Sequence, residues 1–460
     1  MTKIFILGID GAMPEKIFGK WLDELPNMQK LISKSSYAKL KSTIPPLSVT
    51  AWTSIMSGKS PADTGIFEYT YRKDHKYESI KMVTSLSLKE KTFWQILSDW
   101  GKKSIVCYPI LSWPIKQFNG YLISGSLTPS GKEIENVYPL ELKKELEEVF
   151  GEMPTADVPF FRDLSKEEII NEVRKLTEGQ IELEKYLLKN KEWDLFYALI
   201  GLSDRMNHSF WRYTDPGHRK YEQGNEYENV LKDYYKFVDK KLGEIIDFLD
   251  EDTKIIVLSD HGIMRMHTRV NLTDWLIKEE YMVLKEPVTE KKEFNFEMVD
   301  WSKTRAFAIG AYEGQIFLNL KGREPEGIVE EKDYDNLVKE IGEKVKKIPG
   351  DRGEILKTEI FEKKKYFQGK RNENAPDLMI YFDGLQYGCN TTLIGNETFW
   401  SPQTAKGSDD AGHSKQGIFI MKNGKSIGYI GEIDAIDVAP TILHEMEIPI
   451  PEDMKGKVIV

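Results

Sequence analysis

The run Lys254–Ile255–Ile256–Val257–Leu258–Ser259–Asp260–His261–Gly262 constrains this chain more than any other stretch. A strand-length apolar segment stops abruptly at a carboxylate, an imidazole and a glycine. Unbroken apolarity without alternation is the pattern of a strand covered on both faces, as in a parallel sheet. Ligands of open α/β sheets gather beyond the carboxyl ends of such strands. A buried strand ending in Asp–His therefore carries two metal-ligating side chains to the sheet edge.

The same rhythm recurs. Short apolar runs at Ile4–Ile9, Ser104–Tyr108, Tyr121–Ser124, Leu195–Gly201, Lys254–Ser259, Asp377–Phe382 and Gly417–Met421 read as strands. Amphipathic stretches at Ser48–Ser57, Lys91–Trp100, Leu140–Phe150, Lys166–Asn190 and Tyr227–Leu249 read as helices. The alternation predicts an α/β fold, a mostly parallel central sheet with helices on both faces. Two regions interrupt it. Residues 128–190 read as a helical excursion with charged faces. Residues 268–370 mix a helix (Asn271–Lys278), a strand pair (Arg305–Ile309 and Gly314–Leu320) and a charged helix (Tyr334–Lys347). They read as an inserted cap, with 1–267 and 371–460 forming the core and the strand at Asp377 resuming the core pattern. A continuous sheet with long loops is the plainer alternative.

Composition excludes several classes. The 460 residues carry a net charge of -10, so binding a nucleic acid backbone is not the expected task. Bound metals would still allow an acidic protein to hold phosphate esters. Two cysteines, Cys107 and Cys389, give neither a disulfide framework nor zinc-knuckle spacing and suit a cytoplasmic setting. The opening Met1–Asp10 run lacks the parts of a signal peptide, and no apolar stretch approaches a membrane span.

Further candidate ligands lie beside the other apolar runs. Asp10 closes the first strand ahead of Gly11. Asp204 follows the Leu195–Gly201 run, and His208 comes four residues later, on the same face of a helix. His413 lies in the turn Asp409–Asp410–Ala411–Gly412–His413, where the adjacent acids read as solvent-facing. Taken alone, Asp10 is a turn residue and Asp204–His208 an exposed pair. Ser48 opens a helix behind Pro45–Pro46, where backbone N–H groups and the helix dipole favour a phosphate. An ordinary Ser cap fits equally well without a metal nearby.

The ordered set resembles the alkaline phosphatase superfamily, and within it the type I phosphodiesterase/nucleotide pyrophosphatase branch. That order is Asp after strand one, a nucleophile opening a helix, Asp-x-x-x-His, Asp-His-Gly and a late His. Here it corresponds to Asp10, Ser48, Asp204 with His208, Asp260 with His261, and His413. The tail through Asp437–Leu443 and Ile448–Gly456 is also similar to members of that group. The resemblance implies one metal on Asp204, His208 and His413, and a second on Asp10, Asp260, His261 and Ser48. Zinc is the first expectation, with manganese and iron compatible with the same ligands. The family spacing to the closing Ser57–Gly58 selects Ser48 as nucleophile over Thr50. Two departures stand out. Ala51 replaces an Asn that contacts phosphate, so Trp52, Thr50 or the backbone would have to donate instead. Trp52 also stands where a sulfatase has Arg, and Thr64 where the family often has His.

The resemblance implies hydrolysis of a small phosphate ester, most directly a phosphodiester or nucleotide, through a phosphoserine intermediate. Cap aromatics Trp275, Tyr281, Trp301, Phe307 and Tyr312 would grip a base or form the cap's own core. A phosphomonoesterase or phosphotransferase is the alternative on the same site. A non-catalytic, metal-stabilised binding protein is the alternative from another class. A Rossmann-type nucleotide domain is excluded because Asp10–Gly11–Ala12 is no glycine-rich phosphate loop. The sequence does not set the oligomeric state.

Overall fold

The computed structural model describes residues 2–129, 134–309, 312–393, 400–401, 409–424 and 426–459. Its centre is a nine-stranded sheet. From one edge the order is Gly428–Asp434, Ser35–Lys41, Gln416–Lys422, Lys254–Leu258, Ile4–Ile9, Leu195–Ile200, Ser104–Cys107, Gly120–Ile123 and Val137–Tyr138. Only Gln416–Lys422 and Val137–Tyr138 run against the rest. The expected mostly parallel α/β architecture is therefore present, with apolar clusters packed on both faces of the sheet.

The three innermost strands are buried almost throughout, which explains their unbroken apolar runs. Ile9 pairs with Ile200, and Gly8 with Leu258, so the three strands end level with one another. The residues just past each strand end therefore lie along one edge. Gly8 has a packing reason: a Cβ there would stand 2.6 Å from the Trp52 ring. The helix Ser48–Ser57, buried along its whole length, can thus lie directly on the sheet.

One expectation about organisation changes. The strand expected at Asp377–Phe382 forms over Leu378–Tyr381, but it belongs to a separate four-stranded antiparallel sheet. Its neighbours there are Gly314–Leu318 and Glu359–Glu362. Asp377 is held in this layer by Arg323, at 2.8 and 2.6 Å. The chain regains the central sheet only at Gln416. The second layer has its own apolar core, and Tyr77 pins it to the main body by stacking on Trp301 at 3.5 Å. Among the described residues no helix is long and apolar enough to cross a membrane.

Candidate metal centre

All seven predicted side chains converge at the carboxyl edge of the three inner strands. Asp10 directly follows the first strand, and Gly11, at φ 70°, turns the chain away behind it. Asp204 and His208 stand one turn apart on the helix Leu202–Thr214. Asp260 and His261 follow Lys254–Leu258. His413 arrives on a short strand, Ala411–Ser414, that pairs antiparallel with Gly262–Arg265 and sets Ile263 opposite His413. The His261 and His413 rings then stack with centroids 3.7 Å apart.

Asp204, His208 and His413 form one buried group whose ligand atoms lie within 4.8 Å of one another. The ring orientations are fixed from behind. His208 Nδ1 donates to Asp409 Oδ1 at 2.8 Å, and His413 Nδ1 donates to the Pro46 carbonyl at 2.8 Å. Each ring therefore turns Nε2 towards the other, 3.1 Å apart. Two imidazole lone pairs cannot face each other at that distance without a proton or cation between them. In the protein alone His208 takes the proton: burial opposes it, but Asp409 and Asp204 raise it to about 9. Burial, with His208 beside it, lowers His413 to about 4. A divalent cation would compete for the same lone pairs.

Asp10, Asp260 and His261 form the second group, again within 4.8 Å. His261 Nε2 lies 3.1 Å from Asp260 Oδ2 and 3.5 Å from Asp10 Oδ1. Ser48 joins this group, its Oγ 3.0 Å from His261 Nε2 and 3.4 Å from Asp10 Oδ1. Burial, and then the crowding of carboxylates, pushes both Asp10 and Asp260 above the usual range. Asp204 Oδ1 and Asp260 Oδ2 are buried without a hydrogen-bond partner. Orphaned buried carboxylate oxygens beside converging imidazoles fit divalent cations in both groups.

The surroundings correct three sequence expectations. Asp409 and Asp410 do not face solvent; they are 4 % and 7 % exposed. Asp409 anchors His208 and accepts from Arg162 at 2.9 Å and from the Tyr312 hydroxyl at 2.7 Å. Burial works against its charge, but His208, Arg269 and Arg162 hold its carboxyl well below the usual range. Trp52 is not a free phosphate donor, because its indole N–H donates to Asp10 Oδ2 at 3.0 Å. Thr50 Oγ1 is buried without a hydrogen-bond partner, whereas Ser48 Oγ lies 3.0 Å from His261 Nε2.

A cleft of about 500 Å³ opens over Ser48, Asp10 and Asp204. Its walls include Tyr69, Tyr108, Leu127, Asp157 and Arg205. Arg205 grips Asp157 at 2.9 and 2.6 Å and reaches Asp204 at 3.1 Å. Most cap aromatics point elsewhere: Trp275, Tyr281, Trp301 and Phe307 are buried in the cap's own core. Tyr312 alone of the five meets the site, stacking on His413 with centroids 5.0 Å apart.

Known structures share this fold. The structure resembles murine ectonucleotide pyrophosphatase/phosphodiesterase 5 with a TM-score of 0.56, at 10 % identity, over 98 % of this chain and 97 % of the other. An inactive form of that protein in complex with AMP gives 0.57 at 11 % identity over 98 % and 97 %. Phosphonoacetate hydrolase from Sinorhizobium meliloti 1021, in complex with phosphonoacetate, gives 0.60 at 14 % identity over 95 % of this chain and 94 % of that one. At these identities the likeness shows a shared alkaline phosphatase-type fold. No curated protein sequence matches the chain. The model of the type I phosphodiesterase/nucleotide pyrophosphatase family matches residues 4–391. With Asp10, Ser48, both Asp–His pairs and the fold in place, the chain belongs to that family of phosphoester hydrolases.

Proposed function

We propose that the protein is a two-metal phosphodiesterase with Ser48 as nucleophile. The observation that carries this reading is the position of Ser48 Oγ, inside the Asp10–Asp260–His261 group and at the mouth of the cleft. Asp204, His208 and His413 would hold one divalent ion, and Asp10, Asp260 and His261 the other. Such ions, zinc before manganese or iron, would polarise phosphoryl oxygens and favour ionised hydroxyl groups near neutral pH.

The side chains divide the remaining work. Ser48 Oγ gives up its proton and attacks phosphorus in line; the ester oxygen opposite departs and takes up a proton, leaving the phosphoryl group with its remaining ester arm on the serine. Water then attacks that phosphorus: its hydroxyl stays on phosphorus, the bond to Ser48 Oγ breaks, and its proton goes to Ser48 Oγ. The first N–H groups of the helix that Ser48 opens would favour a phosphoryl group bound there. Trp52 holds Asp10 in place, and Asp409 does the same for His208. Residues 268–370 act as a cap whose contribution at the site is Tyr312. The two buried free thiols, Cys107 and Cys389, suit the cytoplasmic setting we assign.

Charge favours diesters over monoesters. A monoester brings an additional negative charge, and Arg205, the one basic wall residue of the cleft among the described residues, is already engaged by Asp157 and Asp204. A small nucleotide or another phosphodiester is therefore the preferred substrate class over a phosphomonoester. Ser48 within the ligand group also argues against a purely structural metal site.

The test compares bis-p-nitrophenyl phosphate with p-nitrophenyl phosphate, using metal-depleted protein to which zinc or manganese is returned. Metal-restored preference for the diester is expected. Monoester preference would move the protein to the phosphatase alternative. Full activity in Ser48→Ala would remove Ser48 from the mechanism.

A further inference from the structure

The sequence leaves open which neutral group donates a hydrogen bond to the phosphoryl oxygen, because position 51 is alanine. Two candidates drop out. The Trp52 indole N–H is engaged by Asp10, and Thr50 is fully buried and forms no wall of the cleft. Tyr69 and Tyr108 both wall it, and their hydroxyls face different surroundings. Burial raises both phenols above their ordinary value. Beyond that, the groups acting on Tyr108 are Cys107 and Glu184, which belong to neither metal group. Those acting on Tyr69 are Arg205, Asp10, Ser48 and Asp204. Asp10 comes from one metal group, Asp204 from the other, and Ser48 is the nucleophile.

Tyr69 is also held where it stands. It is half-buried, and its ring packs against the apolar cluster that contains Val49 and Trp52, both on the helix that Ser48 opens. Its carbonyl accepts from the Val83 N–H at 2.9 Å, and the next residues enter the hairpin of Thr70–Arg72 with Ile80–Met82. A side chain fixed in this way loses little freedom when its hydroxyl bonds a ligand. A phenol keeps its proton near neutral pH and can donate it. Ser48 Oγ is already bracketed by His261 at 3.0 Å and Asp10 at 3.4 Å. Phosphorus must therefore approach it from the open cleft, where Tyr69 stands. A donor placed there meets a nonbridging oxygen on which charge gathers as Ser48 attacks.

We propose that the Tyr69 hydroxyl is a catalytic hydrogen-bond donor to a nonbridging phosphoryl oxygen of the diester while Ser48 attacks. This deepens the phosphodiesterase reading and rests on it.

Tyr69→Phe removes the hydroxyl and keeps the ring. In zinc-reconstituted protein, folded by thermal melting, its kcat for methyl p-nitrophenyl phosphate should fall about 100-fold with KM within about threefold. Its zinc content by native mass spectrometry should equal that of the unmodified chain. The Rp and Sp forms of methyl p-nitrophenyl phosphorothioate then separate contact from packing, because sulfur is a weak acceptor. For one of the two forms the loss caused by Tyr69→Phe should shrink to about threefold or less. An unchanged kcat in Tyr69→Phe, or an equal loss on the oxygen ester and both sulfur esters, would overturn the proposal. So would loss of a zinc ion in the variant, which would make Tyr69 a support of the metal groups. If no diester is cleaved, the phosphodiesterase reading fails separately. Calorimetric titration of the zinc-reconstituted protein with orthovanadate then decides the donor. Binding that Tyr69→Phe weakens about tenfold or more supports it, and equal binding or none overturns it.

Discussion

Residues 139–190 and residues 268–390 both leave the central sheet, and their side chains end in different places. The first region is the more charged and would pass for a solvated helical insert. Yet Ala156 and Asp157 line the cleft, Asp157 grips Arg205, and Arg162 reaches Asp409 behind His208. The second region carries the aromatics that suggest a substrate grip, but four of the five pack on one another. Of these five aromatics, Tyr312 approaches the metal groups, stacking on His413. Aromatic content marks a core before it marks a binding face, because an inserted layer must bury a core of its own. Charge placed at the open end of a cleft is the more informative signal of contact with a site.

The sharpest way to break this contrast is Phe307→Ala. If the cap aromatics are core, the variant loses about 3–5 kcal/mol of stability in denaturant unfolding. Its KM for bis-p-nitrophenyl phosphate should then stay within about twofold of the unmodified enzyme. A raised KM at unchanged stability would return these rings to the substrate. Asp409→Asn comes next, since both regions hold Asp409 and Asp409 holds His208. Metal affinity, measured by competition with a chelator, should fall about 10–100-fold. An unchanged affinity would reduce Asp409 to a packing residue.

Separating the two holds requires Arg162→Ala against Tyr312→Phe. Arg162 donates a charge-assisted bond at 2.9 Å but is 26 % exposed, and the Tyr312 hydroxyl donates at 2.7 Å. We expect roughly threefold to tenfold loss of kcat for the first and about twofold for the second. The reverse order would make the cap the dominant support.

A pH-dependent effect concerns Glu184, buried in the first region. Burial raises its carboxyl to about 8, and neither oxygen has a hydrogen-bond partner. The folded state thus binds a proton that the unfolded chain releases near pH 4.5. Stability should fall as pH rises from about 4.5 to 8, because the unfolded state then binds fewer protons. Glu184→Gln should remove that slope, gaining on the order of 1–2 kcal/mol at pH 8 and almost nothing near pH 4.5. Parallel melting curves at both pH values would contradict this.

Much of the site's geometry was legible because the candidate ligands sit at sequence-local signals. Asp204 and His208 occur at helical spacing, Asp260 and His261 end an apolar run, and Ser48 opens a helix behind two prolines. Asp409 was not legible. In sequence it is one half of an acidic pair in a turn, and its burial comes from Tyr312, His208 and Arg162, which lie 97, 201 and 247 positions away. Nor was the sheet that Leu378–Tyr381 would join, because a short apolar strand looks the same in either layer. The strand Ser35–Lys41 escaped notice for a related reason. It alternates lysines with apolar residues near the sheet edge and lacks the continuous apolarity of the inner strands.

The central claim is that the Asp204–His208–His413 and Asp10–Asp260–His261 groups each hold one divalent ion. Native mass spectrometry of zinc-reconstituted protein, beside Asp260→Asn and His413→Ala, tests it most directly. The account predicts two ions on the unmodified chain, one per group, and one on each variant. A single ion on the unmodified protein, or two retained in either variant, would contradict it.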